Sequence, residues 1–235
     1  MIHRHDFNSE WWGTDVGIVA DPAFFQQPTS IQVAALQKYA WVEFAQPVSK
    51  PPLRTALAQT GFFHVDTQIR FRLDMRKVEL SQCARQLEVK SATELPFEIE
   101  PTSFRPFLHE RFQVLPGATE FRVCERYSLW ASRLISLSPA TCLRFNLNDE
   151  IQGWFLAQPG DEGLQLTLAM LSTRAIISGY DLYARAIAHL AKLRHRLGFA
   201  SFSVSNLNVL NIYSRLGAHF LEPRECWIWV PGERH

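Results

Sequence analysis

Two runs near the C-terminus carry residue types at spacings that could do chemistry. The first is Arg174-Ala-Ile-Ile177-Ser178-Gly179-Tyr180, with a turn glycine where a helical run begins. A helix opening beside such a turn presents unpaired backbone N–H groups and a partial positive charge, which suits phosphate. The second is Asn206-Leu-Asn-Val209-Leu-Asn-Ile-Tyr213-Ser-Arg-Leu-Gly217. Asn206 stands where a helix would start and suits an N-cap. Tyr213 follows two turns later. A phenol with pKa about 10 can donate a proton to a group of comparable basicity, although by type alone Tyr213 equally reads as a core tyrosine.

The elements that must position these runs alternate strand and helix. Leu164–Leu171 is a leucine-rich strand leading into the first run. A helix then extends to Leu197, with Leu182, Ala186, Leu190, Leu193 and Leu197 at helical spacing. Phe199–Ser205 reads as a strand, and the second run as a helix ending at Gly217. Upstream, Cys142–Asn146 and Gln152–Gln158 read as strands, and Pro159–Gly163 as a tight turn. A helix over Glu120–Ile135 would turn Phe121, Cys124, Leu129 and Trp130 inward and Arg122, Glu125, Arg126 and Arg133 outward. Phe107–Phe112 forms a shorter helical piece.

The N-terminal third reads as a turn over 6–21 running into a short strand, then a helix starting near Ser30, with Thr29 or Ser30 as its cap, and running to about Tyr39. A strand over Trp41–Ala45 follows, then a helix over Leu53–Thr60 stopped by Gly61. Phe62–Asp66 and Gln68–Leu73 are half-buried strands. Leu53–Phe71 and Asn211–Trp229 echo each other as helix, glycine and strand, which suggests two related units. The resulting division is a truncated unit at 1–77, a charged linker at 78–99 and a main domain at 100–235. The expected fold class is α/β (α+β), a mixed central sheet flanked by helices.

The length of 235 residues suits one large domain or two small ones. A formal net charge of +1 gives no basic excess, which argues against nucleic acid as the main partner. No apolar run reaches the ~18 residues of a membrane span, and no apolar signal core follows Met1-Ile-His-Arg-His-Asp6. The expectation is therefore a cytoplasmic protein. Cys83, Cys124, Cys142 and Cys226 form no C-x-x-C pair, so neither a zinc site nor a disulfide framework is expected. His3 and His5 sit at a terminus expected to fray, and are not read as metal ligands. Seven Trp and seventeen Phe point to a large aromatic core. The aromatic strand Trp227–Val230, read as an exposed sheet edge, would let two copies pair as a homodimer.

The two C-terminal runs resemble the core of the GNAT N-acetyltransferase superfamily. That family carries Gln/Arg-x-x-Gly-x-Gly/Ala at its pyrophosphate turn. Arg174 takes the first position and Gly179 the last, while Ile177 stands where the first glycine belongs. Asn206, Val209, Tyr213 and Gly217 fall at the spacing of the family's Asn-x-x-Ala-x-x-Leu-Tyr-x-x-x-Gly. The element order after residue 100 is also that of the family. Within it, His109-Glu110-Arg111-Phe112 through Pro116, and then Tyr127-Ser-Leu-Trp130, resemble the dTDP-fucosamine N-acetyltransferase group. Phe7 to Gly13, and Leu57 to Gly61-Phe62, are similar to that group's truncated first unit.

The resemblance implies acetyl-CoA as co-substrate and a nucleotide-linked amino sugar as the amine. Arg174 and the backbone of Ile177, Ser178, Gly179 and Tyr180 would then face the pyrophosphate, with Asp181 capping the helix. Leu168, Met170 and Leu171 would pair with the pantetheine amides along a splayed strand. Asn206 would hold the pantetheine arm or a water near the thioester, and Tyr213 would protonate the leaving thiolate. Arg111, Tyr127 and Trp130 would lie on the substrate side, with Arg111 as a fork for a phosphate. No general base declares itself; His109, Glu110 or a water chain could serve. Two other readings stay open: a non-catalytic module binding acyl-CoA or a sugar nucleotide, and a transferase acting on a protein or another small amine.

Overall fold

The computed structural model describes residues 1–49, 54–105, 110–193 and 195–232. In chain order the first elements are β1 (Ile2–Arg4), α1 (Asp6–Trp12), β2 (Gly17–Val19), α2 (Thr29–Leu36), β3 (Val42–Pro47), α3 (Arg54–Gln59) and β4 (Phe62–Asp74). They are followed by α4 (Gln82–Gln86), β5 (Glu88–Ser91), α5 (Glu120–Leu137), β6 (Cys142–Leu147), β7 (Glu150–Gly160) and β8 (Gly163–Leu171). The last are α6 (Gly179–Lys192), β9 (Leu197–Ser203), α7 (Leu207–Arg215), β10 (His219–Phe220) and β11 (Arg224–Trp229). The expected class is what forms: a mixed, mostly antiparallel sheet arrangement flanked by helices.

Packing divides the chain into two units that do not follow the sequence in order. The first takes its described residues from 1–69, 110–118 and 222–235, the second from 70–109 and 119–221. In the first unit the strand order is β1-β2-β3-β11-β4. The C-terminal strand β11 lies antiparallel to both β3 and β4. Trp227 and Trp229 are 8% and 6% exposed and pack with Phe25, Phe44 and Phe62. The reading of Trp227–Val230 as an exposed dimerising edge is therefore corrected: both hydrogen-bonding edges of this strand are already paired.

Local chemistry also makes a helix where a turn was expected. The ring Nδ1 of His5 accepts from the Asn8 N–H at 3.2 Å and caps α1. Gly13, at φ 81°, ends it by donating its N–H to Ser9 O. His3 and His5 are thus built into the fold, His3 paired with Ile18 in β1. α2 starts at Thr29 after Pro28 with no side-chain cap.

The second unit orders its strands β4-β9-β8-β7-β6-β5, with β10 also on β4. Residues 78–99, expected as a linker, instead carry α4 and β5. Ala84 and Leu87 are buried, and β5 pairs with β6. α5 buries Val123, Cys124, Tyr127, Ala131 and Leu134. Two orientations expected for α5 are corrected. Phe121 is 61% exposed, and Arg126 is buried with its guanidinium over the rings of Tyr127 and Trp130. The i, i+4 stripe through Val123, Tyr127, Ala131 and Leu134 leaves Phe121 off the core face.

α6 stops at Lys192 rather than Leu197. Leu197 begins β9, and the Arg196 carbonyl just before it accepts the Met75 N–H at 2.9 Å. α3 and α7 both stop before left-handed glycines, Gly61 and Gly217, at φ 85° and 80°. The expected piece Phe107–Phe112 begins outside the described residues, as does His109; what is described there is a single turn at Arg111–Val114. No helix among the described residues is long and apolar enough to cross a membrane.

Candidate functional site

β8 bulges, and the bulge builds the site. Opposite β8, Leu156 of β7 faces Leu168 and Ala157 faces Leu166, which leaves Thr167 without a partner. An extra residue bends a strand and shifts its faces by one. Leu164 and Leu166 before the bulge and Ala169 and Leu171 after it accordingly join the same core, while Leu168 and Met170 point to the other face. On its other side β8 runs parallel to β9 in register at Leu164↔Gly198 and Gln165↔Phe199. Beyond those pairs a cleft of about 110 Å³ opens between them. Its walls are Leu166–Ala169 and Ala200–Phe202. It lies toward the carboxyl ends of both strands, where the chain turns into α6 and α7, the usual place for a ligand in such sheets.

Asn206 and Tyr213, on α7, line this cleft together with Leu168. The Asn206 carboxamide oxygen caps α7 by accepting the Val209 N–H at 3.2 Å. The Tyr213 ring is 3% exposed and packs against Phe71, Tyr183 and Phe202 at centroid distances of 3.9, 5.2 and 6.0 Å. Burial, with Tyr183 adding to it, raises its hydroxyl well above the ordinary phenol range, so it stays protonated at neutral pH. Tyr183, on α6, lines the same cleft, and burial raises its hydroxyl too. No Asp, Glu or His is among the described residues lining it.

The turn before α6 is pinned to β7. Ser172 donates its hydroxyl to Ile151 O at 2.6 Å and its N–H to Gln152 O at 2.9 Å. The buried Gln152 side chain accepts the Ile176 N–H at 2.9 Å. Ile177 is 7% exposed, with its side chain in the core rather than in front of the turn. Ser178 caps α6 by accepting the Asp181 N–H at 3.1 Å. A Cβ on Gly179 would sit 3.1 Å from Ile212 Cδ1, so glycine there lets α6 and α7 approach. Tyr180 lies under the Arg215 guanidinium, 4.1 Å from its ring centre. Arg174 is exposed, and its guanidinium has no partner among the described residues.

The other expected site residues fall elsewhere. Met170 and Leu171 lie further along β8, outside the lining. Tyr127 stacks on Phe104 at 5.9 Å and tilts against Trp130 at 6.2 Å, an aromatic cluster of α5. Arg111 belongs to the first unit. There its guanidinium donates to Glu43 at 3.3 Å, and Glu43 also accepts from Asn8 and meets His5 Nε2. Among the described residues no cluster of His, Cys, Asp and Glu could hold a metal ion. Sequence reading missed Thr167, Tyr183 and Gln152. Tyr183 keeps the inward spacing of α6 with Ala186, Ile187 and Leu190, which was a usable signal; Thr167 and Gln152 left none.

No protein-family model and no curated protein matches the sequence. Solved structures do match. A GCN5-related N-acetyltransferase from Sphaerobacter thermophilus superposes with TM-score 0.55 at 15% identity, over 83% of this chain and 62% of that one. Another from Kribbella flavida gives 0.55 at 12%, over 93% and 82%. This chain has the GCN5-related N-acetyltransferase fold. A glucosamine N-acetyltransferase region of a fungal multi-domain GH3 beta-N-acetylglucosaminidase shares it, with TM-score 0.58 at 11% over 92% of this chain and 30% of that one. The chain thus spans less than two thirds of the Sphaerobacter protein and under a third of the fungal one. Within the acetyltransferase fold, the residues present suit the pantetheine part of acetyl-CoA: a bulged strand edge, a capping carboxamide and two protonated phenols around one cleft.

Proposed function

We propose that the chain is an acyl-CoA-dependent N-acetyltransferase whose thioester lies in the cleft between β8 and β9. The single observation behind this is the bulge at Thr167 beside the parting of the two parallel strands, with Asn206 and Tyr213 lining the gap. Backbone groups of Leu166–Ala169 on the β9 side hold the pantetheine amides as an added strand would. Asn206, its oxygen engaged by Val209 N–H, keeps its amide hydrogens for the donor. As the neutral amine attacks the thioester carbonyl carbon, the C–S bond breaks and the electron pair leaves on sulfur. The Tyr213 hydroxyl gives its proton to that thiolate, and the proton lost by the amine returns through water to the Tyr213 oxygen, which restores the phenol.

For the amine we propose an amino sugar, probed first as the dTDP-linked form. The resemblance of residues 109–130 to the dTDP-fucosamine group supports it, and the fungal relative of the same fold is named for glucosamine acetylation. Arg111 would have to release Glu43 to meet a sugar-nucleotide phosphate. The lack of a carboxylate or imidazole in the described cleft lining favours one rival, a module that binds the thioester without turning it over. Two measurements test the proposal. Acetyl-CoA raises the melting midpoint saturably, and a panel of amines, with nucleotide amino sugars first, releases free thiol. A shift without thiol release from any amine would favour the binding module; no shift at all would sink both.

A further inference from the structure

At the turn before α6 the protein itself already engages two amides and supplies an anion of its own. The Ile176 N–H goes to the buried Gln152 side chain. The first turn of α6 holds its own anion: the Asp181 carboxylate accepts the Ser178 hydroxyl at 2.6 Å and the Ser81 hydroxyl at 2.5 Å. Ser81 in turn accepts the Ala84 N–H at 2.9 Å to cap α4, which fixes the carboxylate from two sides. Burial works against its charge, but the hydrogen bonds from Ser178 and Ser81, with Arg215 nearby, outweigh it and lower its pKa. An ionised carboxylate in the first turn uses the favourable end of the helix dipole and repels a second anion placed there. Arg174 is exposed, so solvent and salt screen what it offers a phosphate. The cleft carries no such obstruction, and its lining includes Thr167, Ser201 and Asn206 for amide and carbonyl partners.

We infer that the donor is recognised as an S-acyl-pantetheine, with the nucleotide half of acyl-CoA adding little, so that a thioester on the phosphopantetheine arm of a carrier protein serves as well. This rests on the cleft being the donor site. It is tested on the full chain by calorimetric titration with acetyl-CoA, S-acetylpantetheine and adenosine 3′,5′-bisphosphate. A site that cradled the pyrophosphate through several charge-assisted hydrogen bonds would favour acetyl-CoA on the order of a hundredfold or more. The expected result is dissociation constants within about fivefold of each other and no competition by the bisphosphate. An acetyl-CoA preference on the order of a hundredfold, or displacement by the bisphosphate, overturns the inference and leaves the donor site standing. Failure of both thioesters to bind removes the donor site and the inference together. Asp181→Asn keeps both serine partners and removes the charge. It should tighten acetyl-CoA roughly fivefold and leave S-acetylpantetheine unchanged; equal effects on both ligands would count against the inference. Saturable binding of an S-acetylated carrier protein, and none of its unmodified form, would identify the carrier as a source.

Discussion

Replacing Tyr213 with phenylalanine removes one hydroxyl and keeps the ring. The ring is what the fold uses: it is buried against Phe71, Tyr183 and Phe202, and Tyr213→Phe leaves those contacts in place. Stability should change by no more than about 1 kcal/mol, the net worth of an ordinary hydrogen bond. Turnover should change far more. A positioned proton donor is worth about 10²–10⁴ in rate, or about 3–5 kcal/mol of barrier. Tyr183 lines the same cleft with its ring centre 5.2 Å from that of Tyr213, and it too stays protonated. If Tyr183 stands in, the loss falls near the lower end, about a hundredfold, and Tyr183→Phe on top of Tyr213→Phe deepens it. The assay is thiol release at saturating amine, paired with the melting shift produced by acetyl-CoA, which should be unaltered. Because burial raises the Tyr213 hydroxyl, the wild-type pH–rate profile should show no alkaline fall from this residue below about pH 10. A variant that keeps kcat within about threefold of wild type, well short of any donor's share, and still binds acetyl-CoA would refute Tyr213 as the donor.

Other consequences follow from the same structure. A Cβ at Gly153 would meet the Met170 carbonyl oxygen at 2.3 Å and Leu182 Cδ1 at 2.5 Å. Gly153→Ala should therefore cost about 1–3 kcal/mol by chemical denaturation; a change of under half a kcal/mol would mean that β8 yields easily there. Gln152→Leu leaves the Ile176 N–H without its acceptor, and a loss of about 1–3 kcal/mol is expected; an unchanged melting midpoint would show that water replaces it. Arg111→Met takes the one arginine from the mostly buried Glu43 and leaves it, among the described residues, with Asn8 and His5, so the melting midpoint should fall. A raised KM for a nucleotide sugar at unchanged stability would instead assign Arg111 to substrate. Asp74, Asp181 and Glu225 all titrate below the ordinary carboxylate range, Asp74 at about 2 through its hydrogen bond with Arg76. Folded-state values below the unfolded ones add stability that is present above about pH 4 and lost as pH falls through the folded values. Melting midpoints should thus drop between pH 4.5 and about 2, and a flat profile across that window would contradict the assigned pairings.

Much of the local structure was legible because it is decided within a few residues. Ser178 and Asn206 are capping residues by type, and both accept the backbone N–H three positions on. Gly61 and Gly217 end helices because only glycine takes the left-handed conformation without cost. Asn206 and Tyr213 are seven residues apart, two helical turns, so an assignment of α7 brings both to one side. Where reading failed, the deciding partner was far away in sequence. Leu193 and Leu197 continued the helical pattern of α6, yet the chain leaves the helix so that β9 can pair with β8. The aromatic run Trp227–Val230 had the composition of an edge, yet it lies between β3 and β4. Arg111 had the chemistry of a phosphate fork, yet Glu43, 68 positions away, holds it.

By itself, then, the sequence determined the caps at Ser178 and Asn206, the glycine stops at Gly61 and Gly217, and that an asparagine and a tyrosine share one face of α7. Only tertiary structure decided that these residues face an opening. The cleft exists because Thr167 is one residue too many for its pairing with β7, and strand register is a property of two strands that no single stretch encodes. The same holds for Tyr183, which reaches the cleft because α6 packs its inward face on this sheet. It holds also for Asp181, whose carboxylate is fixed by the hydroxyl of Ser81, a hundred positions earlier.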